Sequence, residues 1–209
     1  MLNVLIACEM SGNVRNAFRQ LHHNAWSCDI KPSLDNSPYH YQCDIHTILD
    51  NPDAYPPWDL MIAFPPCTYL CSSGLHWNKR RPERQQLTED ALQFIKYLLS
   101  SDIEYIALEN PVGCISTRIR KPDQKIQPYH FGHPESKTTC LWLKNLPPLK
   151  PTNILEKPSR GYWENQTPSG QNKLGPSEDR SLIRSITYPG IASAMADQWG
   201  SYILKIKSK

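Results

Sequence analysis

Cys67 closes the tripeptide Pro65-Pro66-Cys67 at the end of the apolar run 60–64, and Glu109 closes a second run, 105–108, ahead of Asn110 and Pro111. Two prolines cannot continue a central strand, so the thiol is expected just past the edge of a sheet. A thiol becomes a nucleophile when a helix terminus, a nearby cation or the substrate itself lowers its pKa. A carboxyl at a neighbouring strand end, its pKa raised by burial, can hold a proton for a ring nitrogen. The pair suits attack on a pyrimidine, with sulfur adding to carbon 6 while the carboxyl protonates the ring. Each residue also has a plainer reading. A lone cysteine is most often buried and inert, and Glu109 could pair with a basic loop residue.

The elements that must position these groups follow from the pattern of apolar runs. Short runs at 2–8, 25–29, 41–44, 60–64 and 105–109 read as strands, and helical periodicity separates them. Val14, Ala17, Phe18 and Leu21 form one face of a first helix. Leu87, Ala91, Phe94, Ile95, Leu98 and Leu99 form the face of another over 82–100. This alternation predicts an α/β fold, a mostly parallel doubly wound sheet in one domain spanning 1–209. Residues 138–143 read as a further strand, 150–181 as irregular, 190–200 as a last helix and 202–204 as a closing strand. Cys8-Glu9, Asp29, Asp44, Cys67 and Glu109 each follow a predicted strand, where ligands bind in such sheets.

The first strand–turn–helix, Ala7-Cys8-Glu9-Met10-Ser11-Gly12, is a candidate cofactor turn. Gly12 allows close backbone approach and the helix start offers free amides. Asp29, with Ile30, lies where an acid can accept from ribose hydroxyls, and Asp44, with Ile45, where one can receive an amino group. Either acid could equally be a helix cap or surface residue.

Bulk properties restrict the alternatives. The 209 residues carry a net charge of +3, which permits a nucleic-acid partner without demanding one. Lys79, Arg80, Arg81, Arg118 and Arg120 lie in two basic stretches that could contact phosphates or could be solvated loop. Seven cysteines with no recognisable export signal fit reduced thiols in a cytoplasm. No Cys/His spacing completes a metal site, and no run is long enough to span a membrane.

The stretch Pro65-Pro66-Cys67-Thr68-Tyr69-Leu70-Cys71-Ser72-Ser73-Gly74 resembles the catalytic loop of DNA cytosine carbon-5 methyltransferases, and Glu109-Asn110-Pro111 is similar to their Glu-Asn-Val motif. Residues 7–12 stand where that family has a Phe-x-Gly-x-Gly cofactor turn, and Thr187-Tyr188-Pro189-Gly190-Ile191-Ala192 resembles its last motif. The whole pattern most resembles short methylase-like proteins of bacteriophages and prophages. The resemblance implies a Rossmann-like methyltransferase fold with S-adenosylmethionine as cofactor. It implies Pro66, Cys67, Glu109, Asn110 and Lys137 as catalytic residues, and residues 7–12, Asp29, Ile30, Asp44, Ile45, Pro65 and Ala192 around the cofactor. Ser73 and the basic residues would contact DNA, and the target base would be flipped out of a duplex.

Three departures stand out. The cofactor turn has one glycine and carries Glu9. The family's Gln-x-Arg-x-Arg motif is replaced near Ser136-Lys137. The large target-reading segment is reduced to some thirty residues, although a single duplex-reading module buries on the order of 600–1,000 Å². Trp77, Tyr162 and Trp163 could stack on unpaired bases, or anchor their loops instead. Duplex or single-stranded DNA, RNA and a free nucleotide therefore all remain open as substrates, as do a different carbon donor and a binding protein without turnover.

Overall fold

The computed structural model describes residues 1–209 apart from Pro176, Glu178 and Asp179 and the side chains of His76, Lys79 and Ser181. The expected contact role of Lys79 thus lies outside the described side chains. Along the chain run β1 (Asn3–Ala7), α1 (Asn13–Gln20), β2 (Asn24–Asp29), β3 (His40–Gln42), α2 (Ile45–Leu49), β4 (Leu60–Ala63), α3 (Ser72–Leu75) and α4 (Glu83–Leu99). Then come β5 (Tyr105–Pro111), α5 (Ile115–Arg118), β6 (Gln124–Ile126), β7 (Thr139–Lys144), α6 (Arg180–Ser185) and α7 (Pro189–Lys207).

The seven strands form one sheet in the order β3-β2-β1-β4-β5-β7-β6. β1 to β5 pair in parallel, and β7 runs antiparallel to both β5 and β6. The continuous apolar runs are explained by burial on both faces. Val4, Ile6, Leu60, Ile62 and Ala107 point to the layer of α1 and α7, while Leu5, Met61, Ala63, Ile106 and Leu108 point to the other face, with Ile48, Leu92, Ile95 and Leu98. Each of the Val, Leu, Ile and Met side chains among them contributes roughly 1.5–3 kcal/mol when fully buried.

Four expectations are corrected. The third strand stops at Gln42, and Asp44 is the N-cap of α2, accepting from the His46 amide at 3.0 Å. The buried face of α4 is Thr88, Leu92, Ile95 and Leu98, with Leu87 exposed, so the inward stripe is shifted by about one residue. On α1, Leu21 is likewise exposed. The closing strand at 202–204 does not form; α7 continues through Gly200, because Ile191, Met195, Trp199 and Ile203 recur every four residues and are all buried. Gly200 is tolerated there because His23 packs where a side chain would stand, 2.8 Å from an added Cβ.

Candidate active site

β4 and β5 are adjacent parallel strands, with Ala63 opposite Leu108, so Cys67 and Glu109 emerge at the same end of the sheet. Two contacts fix the loop after β4. Asn110, itself buried, donates through Nδ2 to the Pro65 carbonyl at 2.8 Å. The Cys114 amide donates to the Leu70 carbonyl at 2.9 Å, and Cys71 bridges Gly113. The approach at Gly113 is so close that a Cβ there would stand 1.9 Å from the Leu70 oxygen. Pro65 is buried, Pro66 and Ser73 are exposed, and Cys67 is half-buried.

Glu109 lines a solvent-open hollow of about 310 Å³ together with Phe64, Lys137, Thr139, Tyr188 and Ile191. Burial pushes its carboxyl above the usual carboxylate range, opposed by the Lys137 ammonium and a hydrogen bond from Thr139. Such a carboxyl can hold a proton over a ring nitrogen. Lys137 donates from Nζ to the Arg184 carbonyl at 2.6 Å, which draws α6 across this region. Ala192, one residue from Ile191 in the first turn of α7, is buried.

At Cys67, a hydrogen bond to Cys71, burial and the Glu109 charge all push the thiol up, against the Arg184 guanidinium. Cys71 is shifted oppositely, down to about 5: hydrogen bonds from Cys67, Ser73 and the Gly74 amide, with the Arg184 charge, outweigh burial. Cys71, Gly113, Thr139 and Arg184 were not read as parts of a site from the sequence. The i,i+4 spacing of Cys67 and Cys71 is the available signal. Gly113, Thr139 and Arg184 carry no local pattern that would mark them.

The other strand ends gather Ala7, Asp29 and Asp44. Ala7 is buried at the end of β1, and the next residue, Cys8, adopts a left-handed backbone with φ 58°. The turn thus uses left-handed geometry twice, at Cys8 and at Gly12 (φ 76°), though only one position is glycine. Burial, with the charges of Asp29 and Asp44, pushes the Cys8 thiol up to about 12. Met10 and Ser11 are half-buried, Ile30 is exposed and Ile45 is buried. The expectation of free amides at the start of α1 is corrected. Glu9 is buried, and its carboxylate accepts from the Val14 amide at 2.8 Å, the Arg15 amide at 3.3 Å and the Ser11 hydroxyl at 3.1 Å. Gly12 is likewise filled from within, since a Cβ there would meet the Arg15 guanidinium at 2.2 Å.

A nucleoside fits this end of the sheet in part. Asp29 accepts from the Lys31 amide and Asp44 from His46, each through Oδ1 in the described contacts, so Oδ2 of each can accept from ribose hydroxyls or an amino group. The α1 amides, held by Glu9, do not supply an anion site.

The basic residues divide into two groups. Arg118 is paired with Glu89 at 2.8 Å, and Arg120 with Asp123 at 2.6 Å and the Leu143 carbonyl at 2.9 Å, so both brace the chain itself. Arg80 and Arg81 are exposed and flank the Trp77 ring, each 5.6 Å from it. Trp163 is buried and stacks on Tyr129 at 4.7 Å, so it anchors its loop. Among the described residues no group of three or more His, Cys, Asp or Glu side chains converges as a metal site, and no helix is long and apolar enough to cross a membrane.

No protein-family model and no curated protein matches the sequence. Solved structures do. The Entamoeba histolytica methyltransferase EhMeth superposes with a TM-score of 0.51 at 18% identity, over 76% of this chain and 58% of its own. A structure described as a DNA modification methyltransferase encoded within an E. coli prophage gives 0.46 at 17% identity, over 68% of this chain and 46% of its own. Spodoptera frugiperda DNMT2 gives 0.44 at 19% identity, over 76% and 56%. This chain spans about half the length of these structures. Its strand order and the EhMeth superposition together define a Rossmann-like methyltransferase fold.

Proposed function

We propose that this protein is an S-adenosylmethionine-dependent methyltransferase that modifies carbon 5 of cytosine in DNA. The observation that carries the reading is the convergence of Cys67 and Glu109 at the ends of adjacent strands, tied together through Asn110 and the Pro65 carbonyl. Asp29 and Asp44, with the turn 7–12, would hold the nucleoside half of the cofactor, which supplies an electrophilic methyl group when bound. The remaining chemistry belongs to the chain. Cys67 adds to carbon 6 of the base, Glu109 holds a proton to the ring nitrogen, and Lys137 keeps Glu109 in reach of both charge states. Loss of the carbon-5 proton and expulsion of Cys67 complete the cycle. Arg80 and Arg81 beside Trp77 suit phosphate and base contacts on the thiol side.

A second reading keeps the chemistry and changes the substrate to a single strand, RNA or a cytosine nucleotide. The shortness of the 150–181 segment favours it, since some thirty residues leave little surface to read a duplex. The test is transfer of labelled methyl from S-adenosylmethionine to duplex DNA, single-stranded DNA, RNA and cytidine phosphates, with the product base identified by mass. 5-Methylcytosine in duplex DNA supports the first reading, and 5-methylcytosine confined to the other substrates supports the second. Transfer that survives Cys67→Ala removes the covalent route from both.

A further inference from the structure

We propose that Glu9 is the chain's own anion in the cofactor turn, so that the site holds its cofactor by the nucleoside and the amine and gives the cofactor's carboxylate no seat. The proposal rests on the S-adenosylmethionine reading above and assigns how the far end of that cofactor is selected. In open α/β sheets the helix after β1 lends its first-turn amides to an anionic group of the ligand. α1 has none to lend, because its leading amides, Asn13 to Asn16, are all satisfied from within. Asn13 donates to the Ser11 hydroxyl at 3.3 Å, and Val14 and Arg15 donate to the two Glu9 oxygens at 2.8 and 3.3 Å. The Asn16 amide donates to the Gly12 carbonyl at 2.8 Å. Glu9 itself is 4% exposed and also accepts from the Ser11 hydroxyl at 3.1 Å.

The space that a single glycine opens in the turn is filled as well. A Cβ on Gly12 would meet the Arg15 guanidinium at 2.2 Å, and Arg15 is fully buried. That guanidinium is already committed at all three nitrogens. Nε donates to the Asn16 side chain at 3.2 Å, Nη1 to Ser27 at 2.8 Å and Ser33 at 3.3 Å, and Nη2 to Asp35. Buried and bonded in this way, Arg15 offers a ligand carboxylate no approach. Asn13, on the outer side of the same turn, spends its side-chain amide on the Thr187 carbonyl at 2.8 Å.

The charges around the turn point the same way. Glu9, Asp29 and Asp44 follow β1, β2 and β3, and among the described ion pairs none of the three is matched with a lysine or arginine. Asp44 contacts His46 at 2.6 Å, and Arg15, whose charge acts on Glu9, is itself neutralised by Asp35. Asp29 and Asp44 act on the turn too, where their charges add to burial in pushing the Cys8 thiol up. Burial also pushes the Glu9 carboxyl up, against its amide and hydroxyl bonds and the Arg15 charge. In either protonation state its oxygens can accept, so the α1 amides stay occupied. A carboxylate brought to this turn meets acidic groups and no open donor, whereas an ammonium meets the same acids as an attraction.

The experiment is calorimetric titration of the whole protein at neutral pH with two ligands that differ by one group. One is S-adenosylhomocysteine. The other is its decarboxylated analogue, adenosylthiopropylamine, which keeps the nucleoside, the sulfur and the amine. Wild type is expected to bind the amine about two- to fivefold more tightly, the scale of one solvent-screened charge contact. Glu9→Gln removes the charge and keeps an oxygen for the Val14 amide. In that variant the preference for the amine should shrink by about threefold or reverse. A wild type that binds both ligands but prefers S-adenosylhomocysteine overturns the proposal and leaves the methyltransferase reading standing. An identical preference in wild type and in folded Glu9→Gln takes the selection away from Glu9 and overturns it too. The wild-type comparison decides even where the variant does not fold. Binding of neither ligand to wild type instead overturns the S-adenosylmethionine reading on which the proposal rests.

Discussion

Asn110 reaches from β5 to the Pro65 carbonyl at 2.8 Å, so the residue after the candidate acid holds the loop of the candidate nucleophile. The bond is buried, and it satisfies the Pro65 carbonyl just past the end of β4. Removing the amide in Asn110→Ala leaves a buried carbonyl without its donor, a cost of about 1–3 kcal/mol that urea denaturation will read. The thiol loop also loses its tie to β5. Adduct formation should fall by about 100-fold, the scale on which small misplacements slow reactions between positioned groups. An unchanged adduct rate in a variant destabilised as expected would show that Gly113 and Cys114 suffice to place the loop.

Glu109 gives a pH-dependent prediction whose sign can be worked out. Its folded pKa is raised by burial, so the folded state holds the proton more tightly than the unfolded chain. Ionising it therefore costs folding free energy as pH rises from the ordinary carboxylate value of about 4.3 through the raised one. Glu109→Gln removes that cost. The variant should be at least as stable as wild type at neutral pH, with the difference vanishing below about pH 4. Methyl transfer should nevertheless drop by roughly 100- to 10,000-fold, the usual range for loss of a positioned acid. Denaturation at two pH values and a transfer assay separate the two effects. A variant less stable than wild type at neutral pH would contradict the assigned direction.

Arg15 and Asp35 supply the opposite sign. Arg15 is fully buried and pairs with Asp35 while also donating to Ser27 at 2.8 Å and Ser33 at 3.3 Å. Burial alone would raise the Asp35 carboxyl, but hydrogen bonds from Ser33, Asn16 and Arg15, with the guanidinium charge, hold it well below the usual range. Its stabilisation is present above the ordinary value of about 3.9 and is lost as pH falls below it toward the depressed one. Asp35→Asn should cost about 1–2 kcal/mol at neutral pH, reduced from the buried-pair scale because the carboxylate is one-third exposed. Thermal melts at pH 7 and pH 3 are the check: the gap between wild type and variant should narrow in acid.

Most of the sheet was legible because the runs 4–7, 60–63 and 105–108 are continuously apolar and buried on both faces. β6 was not, since Gln124-Lys125-Ile126 is a three-residue edge strand held only by β7. Asp44 was misplaced within a strand because an acid at a strand end and an acid capping a helix look alike until the His46 amide is seen bonded to it. Glu9 was recognised as out of place in the cofactor turn. Its partners, the amides of Val14 and Arg15, become visible only when the turn closes. Arg118 and Arg120 are surface-like in composition, and their ion pairs with Glu89 and Asp123 are formed only by the folded chain. The thiol and the acid were legible as residues. Their link through Asn110 and the Pro65 carbonyl depends on a contact across the chain that composition does not encode.

Trp163 yields a local prediction. Its stack on Tyr129, worth about 0.5–1.5 kcal/mol beyond area burial, holds the segment 151–175 against the short turn at Pro128–His130. Trp163→Ala should release that segment without unfolding the sheet. Trypsin should then cut after Arg160 and Lys173 several-fold faster, while the melting of the rest of the protein moves little. Unaltered cleavage would assign the anchoring to the hydrogen bonds of Asn153, Leu155 and Asn165 instead.

Those contacts have a consequence for how the molecule can change over generations. The segment is fastened at a few points: Asn165 bonded to Ser136 in both directions, Gly132 to the Asn153 carbonyl at 2.8 Å, Leu155 to the Tyr129 carbonyl at 2.8 Å, and the aromatic stack. All of its moorings named here lie in 128–136, just ahead of Lys137, and none is in β4, β5 or the thiol turn. It is therefore an exchangeable cassette. Longer or differently folded inserts can be mounted at the same points without moving the loop that carries Cys67.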